Sequence, residues 1–160
     1  MSTNPAPTPI EQRELVLTRI LNVSREKLFR AWTEPELLKP WFAPKPWITS
    51  KAELDVRPGG ASLIVMRSPE GQEFPNRGVY LEVVKNQKLV FTDAFVRAWE
   101  PSEKAYMVGI ITFEDHNGGT RYTARVQHWS VADREAHEQM GFHYGWGLAT
   151  DQLAAFAATL

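Results

Sequence analysis

The chain has no cysteine. That removes disulfide scaffolds, thiol nucleophiles and cysteine-ligated zinc in one step. It also lacks an excess of either charge: 18 Lys plus Arg stand against 19 Asp plus Glu, a net charge of -1, with no block of like charges along the chain. Nucleic-acid recognition normally needs a basic stripe to neutralise phosphates, so no nucleic-acid partner is expected. No run approaches the roughly 18 consecutive apolar residues of a membrane span. The opening "MSTNPAPTPIEQ" has no basic region followed by an apolar stretch, so a cytoplasmic protein is the expectation. Catalytic fingerprints are missing as well. There is no Ser-His-Asp order, nucleophile elbow, P-loop or dinucleotide motif, and the Gly-Gly pairs of "PGGAS" and "HNGGT" precede no helix that could cradle a phosphate.

What the chain does have is aromatic surface: six Trp, eight Phe and four Tyr. The segment "RAWTEPELLKPWFAP", Arg30 to Pro44, holds two tryptophans, a phenylalanine and three prolines. Those prolines forbid one long helix. Ser24 is a good N-cap, Val23 can staple to Leu28, and Leu28, Ala31 and Trp32 recur at helical spacing. Thr33 and Glu36 then stand at capping-box spacing with Pro35 in the first turn, so a second short helix is predicted to end near Pro40. The chain is forced through a helix, a corner and a helix, and leaves by Trp41 and Phe42.

Around this corner the period is two. Before it, "RELVLTRILNV" sets Leu15, Leu17 and Arg19 against Val16 and Ile20. After it, "WITSKAELDV" sets Ile48, Ser50, Ala52 and Leu54 against Thr49, Lys51, Glu53 and Asp55, and "PGG" turns it into "ASLIVMR". "RGVYLEVV" with "KLVFTDAFV", and "YMVGIITFED" with "RYTARVQHW", read as hairpins. Seven strands joined mostly by short turns predict an antiparallel meander. From Asp133 the period changes again, and Phe142, Trp146, Ala149, Leu153, Phe156 and Leu160 form one apolar stripe on a long C-terminal helix. Gly141, Gly145 and Gly147 interrupt it, each costing about 1 kcal/mol relative to alanine. Either something approaches the helix closely there or the helix bends.

A chain of this length buries roughly 70% of its unfolded surface, which points to a flexible tail over residues 1–12 and one α+β domain over 13–160. The sheet has a dry face and the helix a dry stripe, so they must cover each other. The aromatic corner closes the open end. The cavity left between them is the candidate site. Its expected lining comes from the corner (Trp32, Trp41, Phe42), the strands (Leu63, Val65, Leu81, Phe91, Phe113, Tyr122, Val126) and the helix (Met140, Tyr144, Trp146). His128 shares a strand face with Tyr122 and Val126, and His143 stands beside the helix glycines; both are candidate acid–base groups near neutral pH. The competing reading of each is a core histidine bonded to backbone. His137 and His143 are not at i, i+4 spacing, so no metal and no other cofactor is expected. Asp93, Arg77, Tyr80 and Glu82 are further polar candidates.

The stretches "LFRAWTEPELLKPWFAP", "PGGASLIVMRSPEGQEFPNRGVYLEVV", "GGTRYTARV" and "HYGWGLATDQLAAF" resemble, in order, signature stretches of the SRPBCC, or START-like, superfamily. They are most similar to the branch named for the C-terminal domain of the activator of the heat-shock-protein-ninety ATPase. The resemblance spans Arg13 to Leu160. It implies the helix-grip fold, a curved seven-stranded antiparallel sheet wrapped around a long C-terminal helix with two short helices between strands 1 and 2. Relatives on that fold include carriers, cyclases, resistance proteins and chaperone regulators, so function has to be argued from the site. The leading expectation is binding of a hydrophobic or aromatic small molecule. The alternatives are an enzyme using the same cavity, with cyclase, hydrolase or lyase chemistry, and a chaperone-ATPase regulator. The regulator pattern pairs this domain with an amino-terminal one, whereas a single domain is expected here. Either a monomer or a homodimer is compatible with an exposed aromatic corner.

Overall fold

A computed structural model describes residues 6–160. The expected tail over residues 1–12 thus lies partly outside the described residues; its later part forms one 3-10 turn, Ile10–Gln12. Strand β1 (Glu14–Leu21) follows, with Leu15, Leu17 and Leu21 buried and Val16 and Ile20 exposed, as the alternation predicts. Helix α1 (Arg25–Thr33) starts at Ser24, whose Oγ accepts the Lys27 N–H at 3.4 Å. It buries Leu28, Phe29, Ala31 and Trp32. Helix α2 (Pro35–Leu38) begins differently from the predicted capping box. Thr33 is the last residue of α1 and donates its hydroxyl to the Phe29 carbonyl at 2.7 Å, while Pro35 supplies the first turn of α2 without a side-chain cap.

Strands β2 (Ile48–Leu54), β3 (Ala61–Arg67), β4 (Glu73–Val84) and β5 (Lys88–Thr92) form a meander. A register shift between Thr49 and Lys51 puts both Thr49 and Ala52 inside, so the expected face Ile48, Ser50, Ala52, Leu54 is broken after its first residues. β4 begins already at Glu73. Pro75 is tolerated because at that point β4 pairs with β3 alone; its pairing with β5 starts at Val79. The segment predicted as the single strand "KLVFTDAFV" is two. Asp93 bends the chain by accepting the backbone N–H groups of Tyr106 and Met107 on Oδ1, at 2.8 and 3.0 Å. The strands β6 (Phe95–Arg97) and β7 (Glu100–Pro101) then make a separate ribbon. β8 (Val108–His116) and β9 (Gly119–Gln127) are joined by Asn117 and Gly118, both at positive φ, which is the twist a two-residue hairpin requires.

The predicted long C-terminal helix is also two helices, α3 (Val131–Gln139) and α4 (Phe142–Ala157). They part at Gly141, whose φ of 98° lies in the left-handed region. The apolar stripe starts only after the break, at Phe142, while α3 buries none of its residues.

The main sheet is seven-stranded and antiparallel in the order β1-β9-β8-β5-β4-β3-β2. Its first two strands therefore occupy opposite edges. Residues between them must cross the full width, about 29 Å at the usual strand spacing, and α1 and α2 are that crossing. Trp32 and Trp41 are buried along it, in edge contact with ring centroids 5.0 Å apart. Both indoles are satisfied: Trp32 Nε1 donates to the Tyr122 hydroxyl and Trp41 Nε1 to the Ala31 carbonyl, each at 3.1 Å. Burying side chains of this kind stabilises by about 1.5–3 kcal/mol each. From α4, Gln152 clasps the corner's exit. Its Nε2 donates to the carbonyls of Trp41 and Ala43, at 2.8 and 2.9 Å, and its Oε1 accepts the Lys45 N–H at 3.0 Å.

Two stability outcomes follow from this packing. Gly109 lies opposite Phe91 in the β5–β8 ladder, and a Cβ there would stand 2.5 Å from the Phe91 ring. Gly109→Ala should destabilise by about 1–3 kcal/mol in thermal unfolding, and adding Phe91→Leu should restore part of the loss; an unchanged transition for Gly109→Ala would refute this account of the contact. Gln152→Ala should cost about 1–3 kcal/mol through unpaired backbone groups. Gln152→Glu should be at least as harmful at pH 7, because its carboxylate would face two carbonyl oxygens. If the glutamate variant proves as stable as the parent, the clasp contributes nothing.

Candidate functional site

A cleft of about 540 Å³ opens between the concave face of the sheet, the aromatic corner and the α3–α4 segment. The sheet contributes Ser62, Ile64 and Met66 of β3, Asn76 and Gly78 of β4, Phe91 of β5 and Tyr122 of β9. The crossing contributes Trp32, Trp41, Phe42 and Pro44, and the helices contribute His137, Met140, Phe142, Gly145, Trp146, Ala149 and Thr150. Asp93, Tyr106 and Met107, from the connection between β5 and β8, complete the rim with Arg77. The walls are mostly apolar.

Of the residues singled out from the sequence, Trp32, Trp41, Phe42, Phe91, Tyr122, Met140 and Trp146 stand on this cleft. The others do not. Leu63 and Val65 point to the opposite face of β3, where their cross-strand neighbours are Glu53, Lys51, Arg77 and Pro75; alternation gives the cleft to Ser62, Ile64 and Met66 instead. Leu81 sits at the β4 register shift between Tyr80 and Glu82 and is 37% exposed. Phe113 and Val126 are plain core, Phe113 stacking edgewise on Phe29 and Tyr122. Tyr144 is 79% exposed and His143 lies outside, 3.6 Å from Glu138. Both fall on the solvent side of α4, off the stripe that Phe142 and Trp146 begin.

The corner is a fixed wall rather than a moving gate. Trp41 is 2% exposed and its carbonyl is held by Gln152. The open rim is on the other side, where Met140 is 77% exposed and the Tyr106 hydroxyl reaches its Sδ at 3.8 Å.

The three helix glycines divide their roles. Gly141 makes the break. Gly147 accommodates Arg19, whose Nη2 would lie 3.2 Å from a Cβ. Gly145 has no such neighbour: a Cβ there would meet nothing within 4 Å, and the residue lines the cleft.

The polar groups at the site are few. Tyr122 is fully buried; burial drives its phenol pKa far up against the smaller opposing effect of hydrogen bonds with Trp32 and Thr150. Tyr80 is likewise raised by burial, with Asp55 adding to it, but stays in the core. Glu82 pairs with Lys88 on the surface at 3.1 Å. The Tyr106 phenol is raised by burial and by the charges of Asp133 and Asp93. His128, buried, hydrogen-bonds through Nδ1 to the Arg13 carbonyl and through Nε2 to Nδ1 of His137, each at 2.9 Å. It stands behind the cleft, and His137 is the imidazole on the lining. Burial, with His128 beside it, pushes the His137 pKa down to about 4. Sequence reasoning weighs His137 only as a possible metal ligand beside His143; a helical position that follows a buried histidine at the end of a strand by nine residues gives no local signal of contact. Among the described residues, no three His, Asp or Glu side chains converge as a metal site needs.

No curated protein matches the chain. Among solved structures it is similar to protein NE0264 from Nitrosomonas europaea, 42% identical with a TM-score of 0.90 over 92% of this chain and 96% of that one. It is also similar to protein CV1439 from Chromobacterium violaceum, 25% identical with a TM-score of 0.73 over 89% and 95%. An AHSA1-like protein from Aeromonas hydrophila shares the fold at 18% identity and a TM-score of 0.71 over 91% and 92%. Residues 22–158 match the profile of the Activator of Hsp90 ATPase homolog 1-like protein family. With the seven-stranded sheet and the C-terminal helix in place, the chain belongs to that family and carries its SRPBCC-type fold.

Proposed function

We propose that the protein binds a hydrophobic or aromatic small molecule in the cleft between the sheet and α4. The observation that carries this reading is Gly145. A glycine inside a helix costs about 1 kcal/mol relative to alanine, and here no packing neighbour requires it, since a side chain would enter open space on the cleft wall. Its effect is to leave the space unfilled. Three tryptophans, Trp32, Trp41 and Trp146, border that space, which suits a flat apolar guest and gives the binding an optical readout. The chaperone-regulator reading rests on the family description alone. An enzymatic reading needs an acid and a base acting on one substrate; His137 supplies one such group.

Naphthalene, titrated against tryptophan fluorescence, should quench with saturation. Gly145→Leu should weaken that binding at least tenfold while leaving the fold as stable or more so, by roughly 0.8 kcal/mol from helix propensity. Absence of saturable quenching in the parent protein, or equal binding by the filled variant, would defeat the proposal.

The His137 pKa, lowered to about 4 by burial and by His128, sets a pH window. The unfolded chain takes up this proton below about 6.5 and the folded chain not until about 4. Stability from this group is therefore complete above pH 6.5 and is lost as pH falls through 6 and 5 toward 4. Denaturant midpoints measured across that range should fall, and His137→Phe should flatten the decline. A midpoint that rises on acidification would contradict the sign.

A further inference from the structure

Two imidazoles in contact constrain each other's protons. Nδ1 of His128 lies 2.9 Å from the Arg13 carbonyl, which can only accept, so Nδ1 carries the hydrogen. In neutral His128, Nε2 is then an acceptor. Its neighbour at 2.9 Å is Nδ1 of His137, so that nitrogen must carry the hydrogen in turn. Nε2 of His137 is left with a lone pair and no proton. The start of the relay is rigid: the Arg13 carbonyl also accepts the His128 backbone N–H at 2.8 Å, and the Arg13 guanidinium donates back to the His128 carbonyl at 2.8 Å. The end is rigid as well, because the His137 ring is wedged between Tyr106 and Phe142, with centroids 5.0 and 5.3 Å away. The nearby hydroxyl of Tyr106 is directed to Met140 and does not use that lone pair.

We propose that the cleft selects neutral aromatic compounds bearing a hydroxyl group, which donates its hydrogen to Nε2 of His137. This rests on the binding reading above and narrows its ligand class. His137 stands on the cleft lining and its Nδ1 is spent on His128, so Nε2 is the nitrogen available to a guest. A hydroxylated ring would place its flat surface against the tryptophans and its one donor on that acceptor. A ligand whose only polar atom is an acceptor gains nothing there, because the relay denies it a hydrogen.

The assignment is tested on the whole chain in two ways. Long-range 15N–1H correlation spectra of the histidine side chains at pH 7.5 should show both His128 and His137 in the Nδ1–H form; an Nε2–H pattern for His137 would overturn the proposal without any ligand or variant. Binding is then compared for 2-naphthol and naphthalene, which differ by the hydroxyl alone. The parent protein should bind 2-naphthol about fivefold more tightly, the range of one net hydrogen bond. His137→Phe should bring the two affinities within twofold of each other, with a cooperative thermal transition reporting that the variant is folded. Equal affinities in the parent protein would overturn this inference and leave the binding reading standing. Failure of both compounds to bind would sink the binding reading and this one with it. Should His137→Phe not fold, the tautomer spectrum and the affinity ratio of the parent protein still decide the matter.

Discussion

One helix is about 10 Å across, and the sheet it must cover is about 29 Å wide at the usual strand spacing. The rest of this molecule follows from that mismatch. α4 can seal only a strip of the concave face, and the strands β1 and β2 at the two edges are consecutive in the chain. The crossing between them is thus obliged to travel over the uncovered part, and it does so with Trp32, Trp41 and Phe42 facing in. The prolines keep this crossing from becoming a second long helix that would lie flush against α4 and close the gap. What remains between helix, corner and sheet is the cleft.

The same constraint explains where the structure is stiff and where it is not packed. The corner cannot drift, because Gln152 ties two of its carbonyls and one of its N–H groups to α4, and Trp32 is hydrogen-bonded across the interior to Tyr122 on β9. Gly109 lets the Phe91 ring lie down on the neighbouring strand instead of standing into the open space. The place of a Gly109 side chain is taken by the Phe91 ring, whereas at Gly145, on the helix side, nothing takes it. A glycine inside a helix costs stability where nothing crowds it, and that cost at the cleft wall is the physical argument for a guest.

Much of this is legible in the sequence. The period-two and period-three-to-four patterns, the Ser24 cap and the Asn-Gly hairpin are local signals, and they gave the elements and their order. The aromatic corner was legible too, since tryptophans between prolines have few other uses. Register was not. The shift at Thr49 and the one at Leu81 each flip which face a side chain of β2 or β4 takes, and no residue type announces them. On β3 the alternation is regular, but Leu63, Ile64, Val65 and Met66 are all apolar, so the sequence does not say which of its two faces lines the cleft. The break at Gly141 is hidden for a different reason: α3 buries none of its residues, so it carries no apolar stripe whose phase could be compared with that of α4, and Tyr144 and His143 turn outward as positions off the stripe of Phe142 and Trp146. The contact of His128 with His137 depends on where α3 lies against the end of β9, a tertiary fact with no sequence period to carry it.

In the binding reading, the chemistry of the cleft also argues for recognition over turnover. General acid–base catalysis needs a group whose pKa sits near the working pH, and His137 is held well below it by burial and by its neighbour. Its proton inventory is fixed by a relay that ends on a backbone carbonyl, which can neither take up nor release a proton. Such a relay orients a lone pair but cannot pass a proton onward. An oriented acceptor in a mostly apolar surround discriminates, because a guest that fails to pair it leaves a desolvated polar atom behind. The two imidazoles therefore act as a selectivity element: the buried one sets the tautomer, and the other presents the result to the cleft.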